Sequence, residues 1–286
     1  MKPLILSFPW DGDAPQRLAN ELDLEHRPFD LHRYPDGEIL VTGPESAPPA
    51  VILYCSLFEP NEKLVALMLA ADALRRAGAA RIVLVSPYMS YMRQDIAFEV
   101  GQAVSQQAVG KFLSGLFDRI LTVDAHLHRT PEISDVFPGA EAENLIAAEL
   151  IADYAAMKGF DLDALVVGPD RESRQWVARV ADRLGGDILV GEKTRFSDRR
   201  VEIEFPVDDL SGRKVLLVDD IVSSGGTIIK AAQKLISKGA GHITLAVTHA
   251  LFTQDTGGAL SEAGVDEIWA TDSVRHEASC IGKDRA

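Results

Sequence analysis

Residues 215–228 read VLLVDDIVSSGGTI, and the fold turns on this stretch. An apolar run, Val215–Val218, meets two adjacent acids, Asp219 and Asp220. Ser223, Ser224, Gly225, Gly226 and Thr227 follow, and then the helical pattern 228-IIKAAQKLISKG-239 begins. The order predicted is strand, acidic turn, small hydroxylated loop, helix N-terminus. Backbone N–H groups without helical partners and the positive end of the helix dipole make such a junction an anion site. Glycines let the backbone close on a phosphate, and hydroxyls add donors. The two acids suit ribose hydroxyls or a phosphate-bound Mg²⁺. A sugar phosphate satisfies every part.

An ordinary strand-to-helix loop, with Asp and Ser as caps and Gly as a turn, is the plain alternative. The ordered combination of strand, DD, SSGGT and helix argues against it. The segment closely resembles the phosphoribosyl-binding loop of type I phosphoribosyltransferases and of phosphoribosyl pyrophosphate synthetases. Those families commonly carry an acid where this chain has Ser223.

The 286 residues allow two α/β domains or one large one, and 47% hydrophobic content supports a substantial core. A formal net charge of −14 argues against nucleic acid as a partner, which requires a positive surface. An anionic substrate must then be held by local Arg, Lys, metal and backbone amides. Two cysteines, Cys55 and Cys280, make no disulfide framework and point to a reducing compartment. The run PLILSFPW is too short for a signal-peptide core and reads as a first strand. No window reaches membrane-span length, so no membrane partner is expected and the protein is expected to be cytoplasmic.

Short apolar runs alternate with helical patterns. Strands are predicted at 3–8, 51–57, 81–86, 119–124, 164–168, 187–190, 214–219, 242–248 and 266–271. Helices are predicted at 61–78, 103–117, 143–159 and 171–186, several ending at Gly. The fold class expected is α/β, with mostly parallel sheets flanked by helices. Two blocks can be drawn, 1–142 and 143–286, with 129-RTPEISDVFPGAEAEN-144 as the linker candidate. The alternation in VEIEF suits an antiparallel flap or edge hairpin within 195–209. No short sequence repeat is evident.

Five further sites match one family, the phosphoribosyl pyrophosphate synthetases, or ribose-phosphate diphosphokinases. Together with the first loop they span residues 33 to 228. At 33-RYPDGE-38 the chain resembles that family's nucleotide-contacting turn, with Tyr34, Asp36 and Glu38 retained and Pro35 at a commonly Ser position. Alone, P-D-G-E is a common turn. At 88-YMSYMRQDIAFEVGQAVS-105 the resemblance is to the ATP-binding loop. It implies that Arg93 holds ATP phosphate, which a planar guanidinium does well, and that Gln94 and Asp95 help place the nucleotide. Phe98, Gly101 and Ser105 fall at matching spacing.

At 122-TVDAHLHRT-130 the family's D-x-H supplies the histidine beside the catalytic Mg²⁺, which carries over to His126. His126 and His128 would share a face in extended chain, so a zinc pair is the competing reading, without a third clustered ligand. At 165-LVVGPDRESRQW-176 the family's Pro-Asp supplies a metal acid, carried over to Asp170. Here the chain departs: Arg171, Glu172 and Ser173 stand where glycine or small residues are usual. Backbone phosphate contacts at that turn are thereby in question, with Arg171 or Arg174 as replacements. At 190-VGEKTR-195, Lys193 and Arg195 match the catalytic Lys-x-Arg pair of the flexible flap. Gly186 and Gly191 have Walker A spacing, but Glu192 interrupts the Gly-Lys step and the residues between read as a strand.

The resemblance implies two phosphoribosyltransferase-like domains, the first carrying the ATP-binding loops and the second the ribose 5-phosphate loop and the flap. It implies ATP and ribose 5-phosphate as substrates and Mg²⁺ as cofactor. It also implies a homo-oligomer whose ATP site lies near a subunit interface. A type I phosphoribosyltransferase would share residues 219–227 but not explain RQD, D-x-H or Lys-x-Arg. A non-catalytic regulatory relative would keep the fold without the catalytic groups.

Overall fold

A computed structural model of the chain describes residues 2–127, 129–197 and 200–282. His128, and Asp198 and Arg199 within the expected flap, lie outside the described residues. The chain divides into two compact units, Met1–Leu145 and Ile146–Ala286.

The first unit is built on a six-stranded sheet. In chain order its strands are β1 (Leu4–Ser7), β2 (Glu25–Pro28), β5 (Ala50–Tyr54), β6 (Arg81–Ser86), β7 (Arg119–Val123) and β8 (Glu141–Leu145). They lie in the order β2-β1-β5-β6-β7-β8, and every pairing is parallel. A separate antiparallel hairpin joins β3 (Asp30–Arg33) to β4 (Ile39–Thr42). Helices α1 (Ala14–Leu22), α2 (Pro60–Arg76), α3 (Ser105–Ser114) and α4 (Ile133–Val136) complete the unit. In α2, Ala66, Leu67, Ala70, Ala71 and Leu74 form one buried stripe at helical spacing and pack on the sheet.

The second unit repeats the plan. Strands β9 (Leu165–Gly168), β10 (Asp187–Val190), β13 (Lys214–Val222), β14 (His242–Ala250), β15 (Glu267–Thr271) and β16 (Ser279–Ile281) form a parallel sheet ordered β10-β9-β13-β14-β15-β16. An antiparallel hairpin, β11 (Glu192–Ser197) with β12 (Arg200–Glu204), is again inserted after the second sheet strand. Helices α5 (Ala148–Met157), α6 (Arg174–Leu184), α7 (Gly226–Ser237) and α8 (Gln254–Glu262) cover the sheet. The strand period of two divides its core. Leu165, Val167, Val215 and Leu217 face one side with α7, while Val166, Leu216 and Val218 face the other with α5 and α6. Runs such as VLLV are apolar throughout because both faces are buried. The repeat is thus one of topology, which explains why no short sequence period reveals it.

Several expectations need correction. The segment taken as a linker holds α4 and β8, and β8 pairs with β7 over its whole length. The helix expected from residue 143 begins at Ala148. Asp219 and Asp220 lie within β13, which runs on to Val222, rather than in a turn. The hairpin expected within 195–209 starts earlier, at Glu192. Strands β2 and β8 escaped notice because they are exposed edges, EHRP and EAENL, carrying charge instead of an apolar run.

Candidate active site

In the second unit, the junction of β13 and α7 puts the loop 223–227 at the carboxyl end of the sheet. Gly225 is the N-cap of α7, with φ of 71°, and no side-chain cap closes the helix. The first-turn amides therefore keep their donors for a ligand. A Cβ on Gly225 would lie 2.8 Å from the Thr256 methyl, so the left-handed backbone and the packing both require glycine. A Cβ on Gly226 would meet open space, which leaves the amide cradle accessible. Ser224 is exposed, and Ser223 and Thr227 are half-buried.

Beside this loop, β9 runs parallel to β13, with Val167 opposite Leu217, so the turn after β9 reaches the same sheet end. Asp170 lies there. Its carboxylate accepts from the Glu172 amide at 3.0 Å, and the Ser173 hydroxyl donates to the Asp170 carbonyl at 2.6 Å. Burial, and then the neighbouring carboxylates of Asp220 and Asp170, hold Asp219 well above the ordinary carboxylate range. The Asp220 amide donates to Asp219 at 3.1 Å. Three acids are thus gathered at a place whose amides call for an anion, and a cation is what reconciles them. Carboxylate oxygens suit Mg²⁺. Among the described residues no three His, Cys, Asp or Glu side chains are grouped as a ready metal cage.

The flap rises from the same end. In β11, Lys193 stands opposite Ile203 and Arg195 opposite Val201 of β12. Ile203 is buried in the unit's core, and Lys234 of α7 pairs with Glu204 at 2.6 Å. The returning strand of the flap is therefore fastened to the helix whose N-terminus is the anion cradle. Gly191, at the flap's root, donates its amide to the Gly168 carbonyl at 2.9 Å.

In the first unit, the predicted nucleotide segments converge on the first turn of α2. Tyr34, Asp36 and Glu38 are exposed at the tip of the β3–β4 hairpin. Below the tip, Arg33 pairs with Glu62 at 2.5 Å. The Tyr91 hydroxyl, from the loop carrying Arg93, donates to Asn61. Arg93 is exposed, whereas Gln94 and Asp95 brace the loop. Gln94 accepts from the Ser105 hydroxyl at 2.6 Å, and the buried Asp95 pairs with Arg129 at 2.7 Å. Thr130 donates to Gln106, whose amide donates to the Met92 carbonyl. Arg129 and Thr130 follow the half-buried His126, so the RQD loop and the D-x-H segment form one hydrogen-bonded assembly. Tyr91 and Asp124 both have positive φ, 63° and 38°, as happens at constrained sites. Arg129, Gln106 and Asn61 were missed by sequence reasoning. A basic residue three places after His126 in an acidic chain was the available signal for Arg129.

The topological counterpart of the Asp170 position in the first unit is Asp11, after β1. There the crevice is closed by the chain itself. Asp11 accepts from the amides of Ser56 (3.0 Å) and Phe8 (3.2 Å), and Lys63 donates to the Ser56 carbonyl at 2.7 Å. In the first unit, then, a buried acid and a lysine bond to the backbone around Ser56.

Comparison with known proteins decides the family. A family model described as the N-terminal domain of ribose phosphate pyrophosphokinase matches residues 5–116, and a phosphoribosyl transferase domain model matches residues 141–274. A ribose-phosphate pyrophosphokinase from Methanopyrus kandleri is 40% identical over 260 residues, covering 91% of this chain and 88% of its own. The chain belongs to the ribose-phosphate pyrophosphokinase family. A second pyrophosphokinase, from Pyrococcus furiosus, is 34% identical over 274 residues, covering 94% of this chain and 95% of its own. The solved phosphoribosylpyrophosphate synthetase from Mycobacterium smegmatis superposes with a TM-score of 0.82 at 27% identity, covering 100% of this chain and 92% of that one. A pyrophosphokinase accounts for both units, whereas a type I phosphoribosyltransferase accounts for the second alone. No helix among the described residues is long and apolar enough to cross a membrane.

Proposed function

We propose that this protein is a ribose-phosphate diphosphokinase, converting ATP and ribose 5-phosphate to 5-phosphoribosyl 1-pyrophosphate and AMP. The observation that carries this reading is the uncapped N-terminus of α7, open above Gly226 and bordered by Asp170, Asp219 and Asp220. Family membership supplies the reaction class.

In this reading the second unit takes the sugar. Amides and hydroxyls of Ser223–Thr227 receive the 5-phosphate, and Asp219 and Asp220 accept hydrogen bonds from the ribose hydroxyls. The first unit takes the nucleotide through Tyr34, Asp36, Glu38 and Arg93, with Gln94 and Asp95 holding the loop in shape. The anomeric hydroxyl attacks the β-phosphorus of ATP and loses its proton. The bond from that phosphorus to the α–β bridging oxygen breaks, and AMP leaves. Lys193 and Arg195 meet the charge developing on the transferred group, where contacts that strengthen toward the transition state raise kcat. Asp170 and His126 would hold Mg²⁺, which when bound neutralises phosphate charge and fixes the in-line geometry. The reading includes a homo-oligomer in which another copy completes the ATP site, as the family resemblance implies. The reading is of a cytoplasmic enzyme.

The test is AMP formation from ATP, Mg²⁺ and ribose 5-phosphate. Nucleobase-dependent turnover of phosphoribosyl pyrophosphate instead would favour the transferase, and neither activity would favour the regulatory relative. The sugar-phosphate assignment is tested separately by Ser224→Ala with Thr227→Ala. Hydrogen bonds to a charged group are worth about 1.5–3 kcal/mol each, so losing two should raise the KM for ribose 5-phosphate about a hundredfold or more. An unchanged KM in the folded variant would remove the loop from that role.

A further inference from the structure

In the first unit one peptide segment, just after β5, is gripped from two sides. The buried Asp11 carboxylate accepts from the Ser56 amide at 3.0 Å through one oxygen and from the Phe8 amide at 3.2 Å through the other. Lys63 of α2 donates to the Ser56 carbonyl at 2.7 Å, and its ammonium stands 5.9 Å from the centre of the Trp10 ring. Both backbone polar groups of Ser56 are thus taken by charged side chains, in the stronger class of hydrogen bond. Further bonds carry that grip outward. The Leu57 amide donates to the Tyr88 carbonyl at 2.9 Å, at the root of the loop that carries Arg93. In the first turn of α2, Asn61 receives the Tyr91 hydroxyl and Glu62 pairs with Arg33 below the hairpin tip. Between Ser56 and Asn61 the chain passes through Glu59, left-handed at φ of 51° and without a side-chain cap. A non-glycine residue keeps that conformation where its surroundings impose it.

We propose that Asp11 and Lys63 are positioning residues for the nucleotide, fixing the first turn of α2 and the root of the Arg93 loop by holding the Ser56 peptide between them. This rests on the diphosphokinase reading, which puts ATP on those segments, and extends it one layer inward. Burial pushes the Asp11 carboxyl up to about 7. The titratable groups facing it are the Cys55 thiol at the end of β5 and the Lys63 ammonium of α2. Burial, and then Asp11 itself, push Cys55 up, so the thiol stays neutral, and Lys63 opposes the rise at Asp11. Ionised, Asp11 weakens the fold, yet only then are both its oxygens free to accept. Protonated, it carries an O–H of its own and holds the two amides less well. Nucleotide binding should therefore weaken as pH falls through about 7, while stability moves the other way.

The experiment joins calorimetric titration of the full-length protein with Mg²⁺-ATP, without ribose 5-phosphate, to hydrogen exchange of the free protein. Wild type, Asp11→Asn and Lys63→Met are compared at pH 6 and pH 8. Asp11→Asn keeps the shape of the acid and one accepting oxygen. At pH 8 it should weaken Mg²⁺-ATP binding about threefold to tenfold and leave ribose 5-phosphate binding unchanged. The gap should close toward pH 6, where the wild type is itself protonated. Lys63→Met should weaken Mg²⁺-ATP binding at both pH values. Amides of residues 55–63 and 88–94 should exchange faster in both variants, and those of the second unit at the wild-type rate. Relative to Asp11→Asn, the wild type should lose stability toward pH 8 while gaining affinity, opposite trends that a merely structural role would not give. Equal Mg²⁺-ATP affinity of wild type and Asp11→Asn at pH 8 overturns the proposal, and so does unchanged exchange in both segments. Failure of the wild type to bind Mg²⁺-ATP at all would instead remove the nucleotide reading on which the proposal rests, and the two failures are distinct.

Discussion

Asp11 shows how much a single buried carboxyl can contribute. Burial pushes it from 3.8 to about 7, against the Ser56 and Phe8 amides and the nearby Lys63 ammonium, which oppose the shift. The folded protein therefore holds this proton more tightly than the unfolded chain does. Its contribution is fully present below about pH 4 and is lost as pH rises to about 7, a loss on the order of 4 kcal/mol. Asp11→Asn should remove that component. Urea unfolding of wild type and variant at pH 4.5 and pH 8 measures it: the wild type should lose stability relative to Asp11→Asn on going to pH 8. Parallel pH dependence in the two proteins would contradict the assignment. Gly225 makes a steric case at the same scale. With φ of 71° and Thr256 2.8 Å from an added Cβ, Gly225→Ala should cost about 1–2 kcal/mol of stability and raise the KM for ribose 5-phosphate. Thermal unfolding and steady-state kinetics read both effects. The strand-to-helix junction at residues 215–228 was legible in the sequence because its residue types, order and spacing are local. Arg129 was not, since its role depends on a partner, Asp95, 34 positions away.

At the scale of elements, central strands were readable and edges were not. VLLVDD announces itself by burial on both faces, and RIVLVS by an apolar run with one face fully buried and the other half-buried. EHRP and EAENL carry the charge that keeps an exposed edge from pairing with other chains, and so look like loop or helix. The loop that carries Arg93 owes its shape to elements far along the chain. Arg129→Ala would leave the Asp95 carboxylate buried without its cation, at a cost of about 1–3 kcal/mol for an unsatisfied buried acceptor. The KM for ATP should rise while that for ribose 5-phosphate holds, and a kinetic comparison of the two substrates checks it. The flap calls for the opposite signature. Lys193→Ala should leave both substrates binding and lower kcat by on the order of a thousandfold, by analogy with arginine fingers. Near-normal kcat would remove Lys193 from the chemistry.

For the whole molecule, one strand plan occurs twice, each time with a hairpin inserted after its second sheet strand. The copies have diverged at one crevice. In the first, Asp11 and Lys63 engage the loop around Ser56, while in the second a Cβ at Gly226, after β13, would meet open space. In the proposed reading the second unit takes the sugar phosphate and the first the nucleotide. If the proposed reading holds, a chain of net charge −14 binds two phosphorylated substrates through such local devices. The central claim is transfer of an intact diphosphoryl group to the sugar. Phosphorus NMR of a reaction containing ATP, Mg²⁺ and ribose 5-phosphate tests it most directly. The account predicts matched growth of AMP and of a sugar-linked diphosphate, with no free phosphate or pyrophosphate as primary product. ADP with a singly phosphorylated anomeric carbon, or AMP with free pyrophosphate from the first turnover, would contradict it.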